Sequence, residues 1–176
     1  MSELRKANSD YPFFVTLTVV GWIDVFIRND YCDEFLNSLE YCRKNKGLKV
    51  YAYCIMSSHI HMIIADDQAN LPAIIRDLKS YTAKRIIELI KNNPGESRRE
   101  WLLHLFKYLA KYNQQNSEYQ FWQKTNHPTE LFTGPVFEQK VNYIHKNPMK
   151  AMIVNDECSY VYSSANPDSP FKVDES

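Results

Sequence analysis

His59-Ile60-His61 sets two imidazoles two residues apart. On a strand such residues share a face, about 6.6 Å apart at ~3.3 Å per residue, and can lean together onto one ion while Ile60 turns into a core. Two nitrogen donors on a rigid element suit a metal site. The triplet equally fits two ordinary surface histidines, and His104, His127 and His145 form no comparable pair. A second group comes later in the chain. Tyr143 and Asn147 are four residues apart and share one face of a helix, with Lys140 close to it, so a phenol, an amide oxygen and an amine stand together. A phenol so placed is a candidate nucleophile. Asn147-Pro148 fits just as well the N-cap and first-turn proline of a new helix.

These groups need elements to carry them. Tyr11 to Val20 is rich in β-branched and aromatic residues and predicts a strand. Tyr31, Phe35, Leu39 and Cys42 give Asp30–Asn45 a helical spacing that Gly47 ends. Leu48–Met56 predicts a second strand, Ser57-Ser58 a tight turn, and His59–Ala65 a third strand antiparallel to the second. A long amphipathic helix follows over Leu71–Asn92, with Leu71, Ile74, Ile75, Leu78, Thr82, Ile86 and Leu89 inward, stopped by Asn93-Pro94-Gly95. Arg98–Tyr112 predicts another helix, Tyr119–Lys124 a fourth strand, and 125–129 a loop. Thr133-Gly134-Pro135 opens the tyrosine helix, Asn147-Pro148 breaks it, and Pro148 starts a short helix ending near Val154. This order predicts an α+β fold, a ferredoxin-like sandwich of an antiparallel sheet with helices packed on it. Residues 1–10 are expected to be a flexible N-terminus, 11–165 a single domain and 166–176 a flexible tail.

The chain has 176 residues, enough for one domain with a real core. Its 44% apolar and 24% charged content argues against global disorder. Four cysteines without C-x-x-C spacing argue against a zinc ribbon or disulfide framework and fit a reducing cytosol. No secretory signal is visible, and the apolar run from Phe13 to Ile27, interrupted by Asp24, is too short to span a membrane. Net charge is zero, which supplies no overall attraction to nucleic acid. From Leu71 to Lys111, however, nine basic residues face four acidic ones.

Several runs resemble the single-tyrosine HUH transposases of small insertion sequences and the related REP-associated tyrosine transposases. Met56-Ser57-Ser58-His59-Ile60-His61-Met62-Ile63 is similar to the family's histidine strand, with Ser57-Ser58 in place of the commoner Pro-Asn turn. Leu78-Lys79-Ser80-Tyr81-Thr82-Ala83-Lys84-Arg85 resembles its basic helix, and Phe121-Trp122-Gln123 a recurrent tryptophan-glutamine element. YIHKNPMKAMIVNDECSYVYSSA, from Tyr143 to Ala165, resembles its C-terminal signature. The likeness runs from Pro12 to Ala165 in the same order.

The resemblance implies a ferredoxin-like fold and a DNA transposase, with His59, His61 and Asn147 as ligands of a divalent metal and Tyr143 as the nucleophile. It implies metal-dependent cleavage and strand transfer of single-stranded DNA through a 5′-phosphotyrosine, on DNA ends that carry hairpins. The donor set suits Mg²⁺ or Mn²⁺, and Zn²⁺ also binds imidazoles. Arg76, Lys79, Lys84 and Lys91 are candidate phosphate contacts, with a solvated helix face as the alternative. Tyr81 and Trp122 are candidate stacking residues, and Lys140 a candidate to shield phosphate or ease ionisation of the phenol. The resemblance leaves both a homodimer and a monomer open, and a cytoplasmic location is expected. The competing readings are a catalytically inactive DNA-binding module, a hydrolase using the two histidines with water, and a structural, metal-free protein.

Overall fold

The computed structural model describes residues 11–68, 70–112 and 118–175. Strand β1 (Phe13–Thr18) is buried nearly throughout, the mark of a sheet covered on both faces. Helix α1 (Asn29–Lys46) follows, and Tyr31, Phe35, Leu39 and Cys42 are all inward. Gly47 closes it in the left-handed region at φ 70°, its N–H bonded to the Cys42 carbonyl. Strands β2 (Leu48–Ile55) and β3 (His59–Asp66) form a hairpin whose Ser57-Ser58 turn is closed by Met56 N–H donating to the His59 carbonyl at 2.8 Å. Helix α2 spans Leu71–Asn92 as its periodicity predicts, although Ile90 rather than Leu89 completes the buried face. Helices α3 (Arg99–Ala110), α4 (Gly134–His145) and the one-turn α5 (Asn147–Lys150) complete the set. The short helix after Pro148 thus stops well before Val154, and Met152 turns the chain at φ 57°.

The fourth strand is not where the sequence places it. Residues 119–124 make only an isolated bridge, Val19 to Trp122, and the strand β4 is Thr129–Glu130, pairing with Phe13 and Phe14. His127 at φ 44° and Pro128, which has no N–H to donate, break the ladder between them. Sheet order is β2-β3-β1-β4, all antiparallel. That is the strand order of a ferredoxin-like sandwich, an α+β fold as expected.

The period-two alternation of the strands divides the core. Val15, Leu17, Ile60 and Met62 face α1 and α2 in one large cluster. Phe14, Ala52, Cys54 and Ile63 face α4, meeting Ile144, Phe137 and Val141 in a second. The sheet therefore separates α2 from the tyrosine helix.

The tail expected to be loose is packed. Phe171 and Ser169 are buried, the Tyr53 hydroxyl bonds to Ser169 Oγ, and Arg43 lies over the Phe171 ring. Asp174 N–H donates to the Val50 carbonyl while its carboxylate accepts from Val50 N–H. Upstream, Ile55 N–H donates to the Tyr162 carbonyl and Ser164 N–H to that of Tyr53. Residues 162–174 thus occupy the outer edge of β2, and apolar burial with backbone pairing outweighs the tail's polar composition. The N-terminus expected to be flexible, 1–10, lies outside the described residues.

Candidate active site

Register decides what surrounds the histidines. Thr18, Thr16 and Phe14 sit opposite His59, His61 and Ile63, and all six side chains turn toward the α4 face. The two imidazoles lie with ring centroids 4.8 Å apart. Ile60 between them is fully buried on the other face, as its position predicts. Thr16 Oγ1 lies 2.9 Å from His61 Nδ1, and Ser58 Oγ lies 3.2 Å from His59 Nδ1. Phe14 stacks on His61 at 5.5 Å. Burial pushes the His61 pKa down to about 3, with help from His59 and Lys140, and burial also lowers that of His59. Both rings are therefore neutral near pH 7, the form in which imidazole donates a lone pair.

Helix α4 brings the phenol over this pair. Ile144 is fully buried against the sheet, which sets the rotation of the helix. Tyr143, 39% exposed, comes to lie with its ring 5.3 Å from His61 and 5.9 Å from Phe14. Lys140 Nζ sits 4.5 Å from the Phe14 ring centre and 5.5 Å from that of Tyr143, and Lys150 Nζ sits 5.0 Å from the latter. Asn147 opens α5 one turn beyond Tyr143 and is half-buried. Among the described residues no third histidine, cysteine or carboxylate joins the pair as a metal-ligating group. A third donor from the described residues would then be the oxygen of an amide, a hydroxyl or a backbone carbonyl.

The other candidates disperse. Lys79 is no phosphate contact: its amine donates to the Gln123 carbonyl at 2.7 Å and to Asn126 Oδ1 at 2.6 Å, and burial lowers its pKa to about 8. Trp122 is no stacking surface either. It is 6% exposed, packs on Phe26, Phe35 and Phe121, and donates from Nε1 to Thr82 Oγ1 at 3.1 Å. Arg76 is exposed and bonded to Asp77. Lys84 and Tyr81 are exposed, and Lys91 lies over the Tyr119 ring. All of these α2 residues are on the sheet's far side from Tyr143, so only Lys140 of the predicted contacts converges on the site.

Sequence reasoning missed Thr16, Phe14, Lys150 and Trp22. The alternation of β1 could have found the first two, and the 143, 147, 150 spacing on one helical face the third. Trp22 sits in a turn with its ring 5.3 Å from that of His59. The C-terminal signature proves largely structural: His145 Nε2 lies 2.9 Å from Ser164 Oγ, and the Tyr160 hydroxyl donates to the Ile55 carbonyl. The first bond ties the tyrosine helix to the segment along the edge of β2, and the second ties the chain beyond the helix to β2 itself.

Comparisons agree with this architecture. A structure of the REP-associated tyrosine transposase bound to a REP hairpin is similar to this chain at a TM-score of 0.62 and 13% identity, covering 88% of this chain and 76% of that one; the likeness is one of fold. A crystal structure of a Deinococcus radiodurans R1 protein assigned as a transposase shares 15% identity over 79% of this chain and 93% of its own, at a TM-score of 0.43 that carries no argument. No curated protein matches the chain. No helix among the described residues is long and apolar enough to cross a membrane. The family model described as "Transposase IS200 like" matches residues 24–124, a span that holds the histidine pair and stops before Tyr143. Over more than half its length the chain fits a family of DNA-processing enzymes, and it belongs to the IS200-like transposases.

Proposed function

We propose that this transposase cuts and rejoins single-stranded DNA with Tyr143 as nucleophile beside a divalent cation held by His59 and His61. The observation that supports it is the 5.3 Å approach of the Tyr143 ring to His61 within one chain. The nucleophile and histidines then belong to the same subunit, and no second copy is needed to complete the site.

The residues fit such a cation. With Nδ1 of each ring beside a hydroxyl, Nε2 is the atom left to ligate, and the neutral state of both rings keeps its lone pair free. The Asn147 amide oxygen, one turn past the tyrosine, is the proposed third donor. This set suits Mg²⁺ or Mn²⁺. When bound, the ion supplies Lewis-acid compensation of charge at the scissile phosphate. Tyr143 Oη forms a bond to phosphorus as the bond to the 3′ oxygen breaks; the phenolic proton passes to water and the departing 3′ oxygen takes a proton from water. The products are a 5′-phosphotyrosine and a free 3′-OH; attack by a 3′-OH on the phosphotyrosine restores the phenol and joins the strands. Lys140 and Lys150 offset the charge that develops on the phenol. Arg76, Lys84 and Lys91 would contact phosphates farther along, and Tyr81 would stack on a base. The likeness in fold to a protein solved with a REP hairpin supports a hairpin-bearing DNA end as the substrate.

Incubation with hairpin-bearing single-stranded DNA and Mn²⁺, followed by a denaturing gel, should give a covalent adduct with the wild type and none with Tyr143→Phe. DNA binding without an adduct would instead describe an inactive DNA-binding module. Titration calorimetry with Mn²⁺ should lose its heat in His61→Ala; equal heats would remove the metal site.

A further inference from the structure

We propose that Trp22 is the stacking platform for the nucleobase on the 5′ side of the scissile phosphate, an assignment that rests on the tyrosine reading above. Its neighbours Val19, Ile23 and Val25 are buried, while Trp22, the largest side chain of the turn, remains 59% exposed. The exposure is built in. Trp22 holds φ 56° directly after Gly21 at φ 67°, a conformation a bulky residue rarely adopts. The turn is fixed on three sides: Val19 N–H donates to the Ser58 carbonyl, Val20 N–H to that of Phe121, and Trp22 N–H to that of Val19. A Cβ on Gly21 would already meet Leu109 at 3.5 Å. The backbone is held and the indole projects, as a preorganised contact requires.

Its position gives the ligand. The rings of Trp22, His59, His61 and Tyr143 follow one another at 5.3, 4.8 and 5.3 Å, so Trp22 and Tyr143 border opposite ends of the histidine pair. In an in-line displacement the entering and leaving oxygens stand on opposite sides of phosphorus. With the phenol entering beside His61, the departing 3′ oxygen and its nucleoside lie toward His59 and Trp22. A base has a neutral π-face and stacks on indole whatever its identity. Trp22 would then keep the released 3′-OH nucleoside in place for rejoining. The T-shaped contact with His59 still leaves Trp22 59% exposed.

The test uses the full chain with Trp101→Phe and Tyr143→Phe, leaving Trp22 and the buried Trp122 as the emitters. Oligothymidylate of sixteen or so residues, without metal, should quench the exposed emission. Adding Trp22→Ala should abolish the quenching and weaken binding roughly tenfold, and Trp22→Tyr should restore most of the affinity. Absence of quenching, or equal affinity of the alanine variant, overturns the proposal. So does a Trp22→Ala chain that loses Mn²⁺ heat with its DNA affinity unchanged, since Trp22 would then be only a wall of the metal site. On DNA that forms the adduct, an abasic nucleotide just 5′ of the cut should slow the wild type and not Trp22→Ala; the reverse, with the effect 3′ of the cut, overturns the side assigned. Quenching that depends on Trp22 with no adduct on any DNA would support the platform while failing the tyrosine reading.

Discussion

Thr16 shows how a small side chain can govern a site. Its Oγ1, 2.9 Å from His61 Nδ1, helps fix the angle of a ring that the Phe14 stack holds from one face. Thr16→Val keeps the shape of the strand and removes the bond. Mn²⁺ affinity by calorimetry is expected to fall about 10- to 100-fold, with stability to urea changed by roughly 1 kcal/mol. The two imidazoles were legible from their spacing alone, because strand periodicity decides which side chains share a face. Thr16 was not, since its role exists only once β1 is laid antiparallel to β3 in this register. Trp122 failed for a related reason: an aromatic in a short polar-flanked run looks exposed until the Thr82 hydroxyl of α2 is brought beneath its indole nitrogen.

Between elements, the ion-pair cluster around Glu96 ties the α2–α3 connection to the start of α1. The side chain has no solvent exposure; it accepts from Arg28 Nε at 2.7 Å, Arg98 Nε at 3.1 Å and the Tyr31 hydroxyl at 3.2 Å. Burial pushes its pKa up, but the bonds from Arg98 and Arg28 outweigh it and bring the value down to about 2. Because the folded pKa lies below the unfolded one, the carboxylate's contribution to stability is present above about pH 4.5 and is lost as pH falls toward 2. Glu96→Gln should lower unfolding stability at pH 7 by about 2–3 kcal/mol, and its difference from wild type should shrink across that acid window in urea titrations. Long periodic segments such as α2 were readable almost to the residue. The two-residue β4 was not, because its pairing to Phe13 and Phe14 follows from a bent connection that Lys79 holds from α2, and no local pattern encodes that.

At the scale of the molecule, zero net charge conceals a distribution in which many cations are already paired. Arg28 and Arg98 meet Glu96, Arg85 meets Glu34 and Glu88, Lys46 meets Asp77, and Lys107 meets Glu118. If Arg76, Lys84, Lys91, Lys140 and Lys150 each neutralise one phosphate, log affinity for single-stranded DNA should fall against log salt with a slope of about −3.5. A slope near −6 would mean that internal pairs open to the nucleic acid. The segment from Tyr162 to Asp174 has a consequence of another kind. By lying along the margin of β2 it spends that strand's outward donors and acceptors on its own chain. A neighbouring copy cannot extend the sheet at that margin, and removing residues 162–174 should turn a sealed edge into one prone to stick to its like.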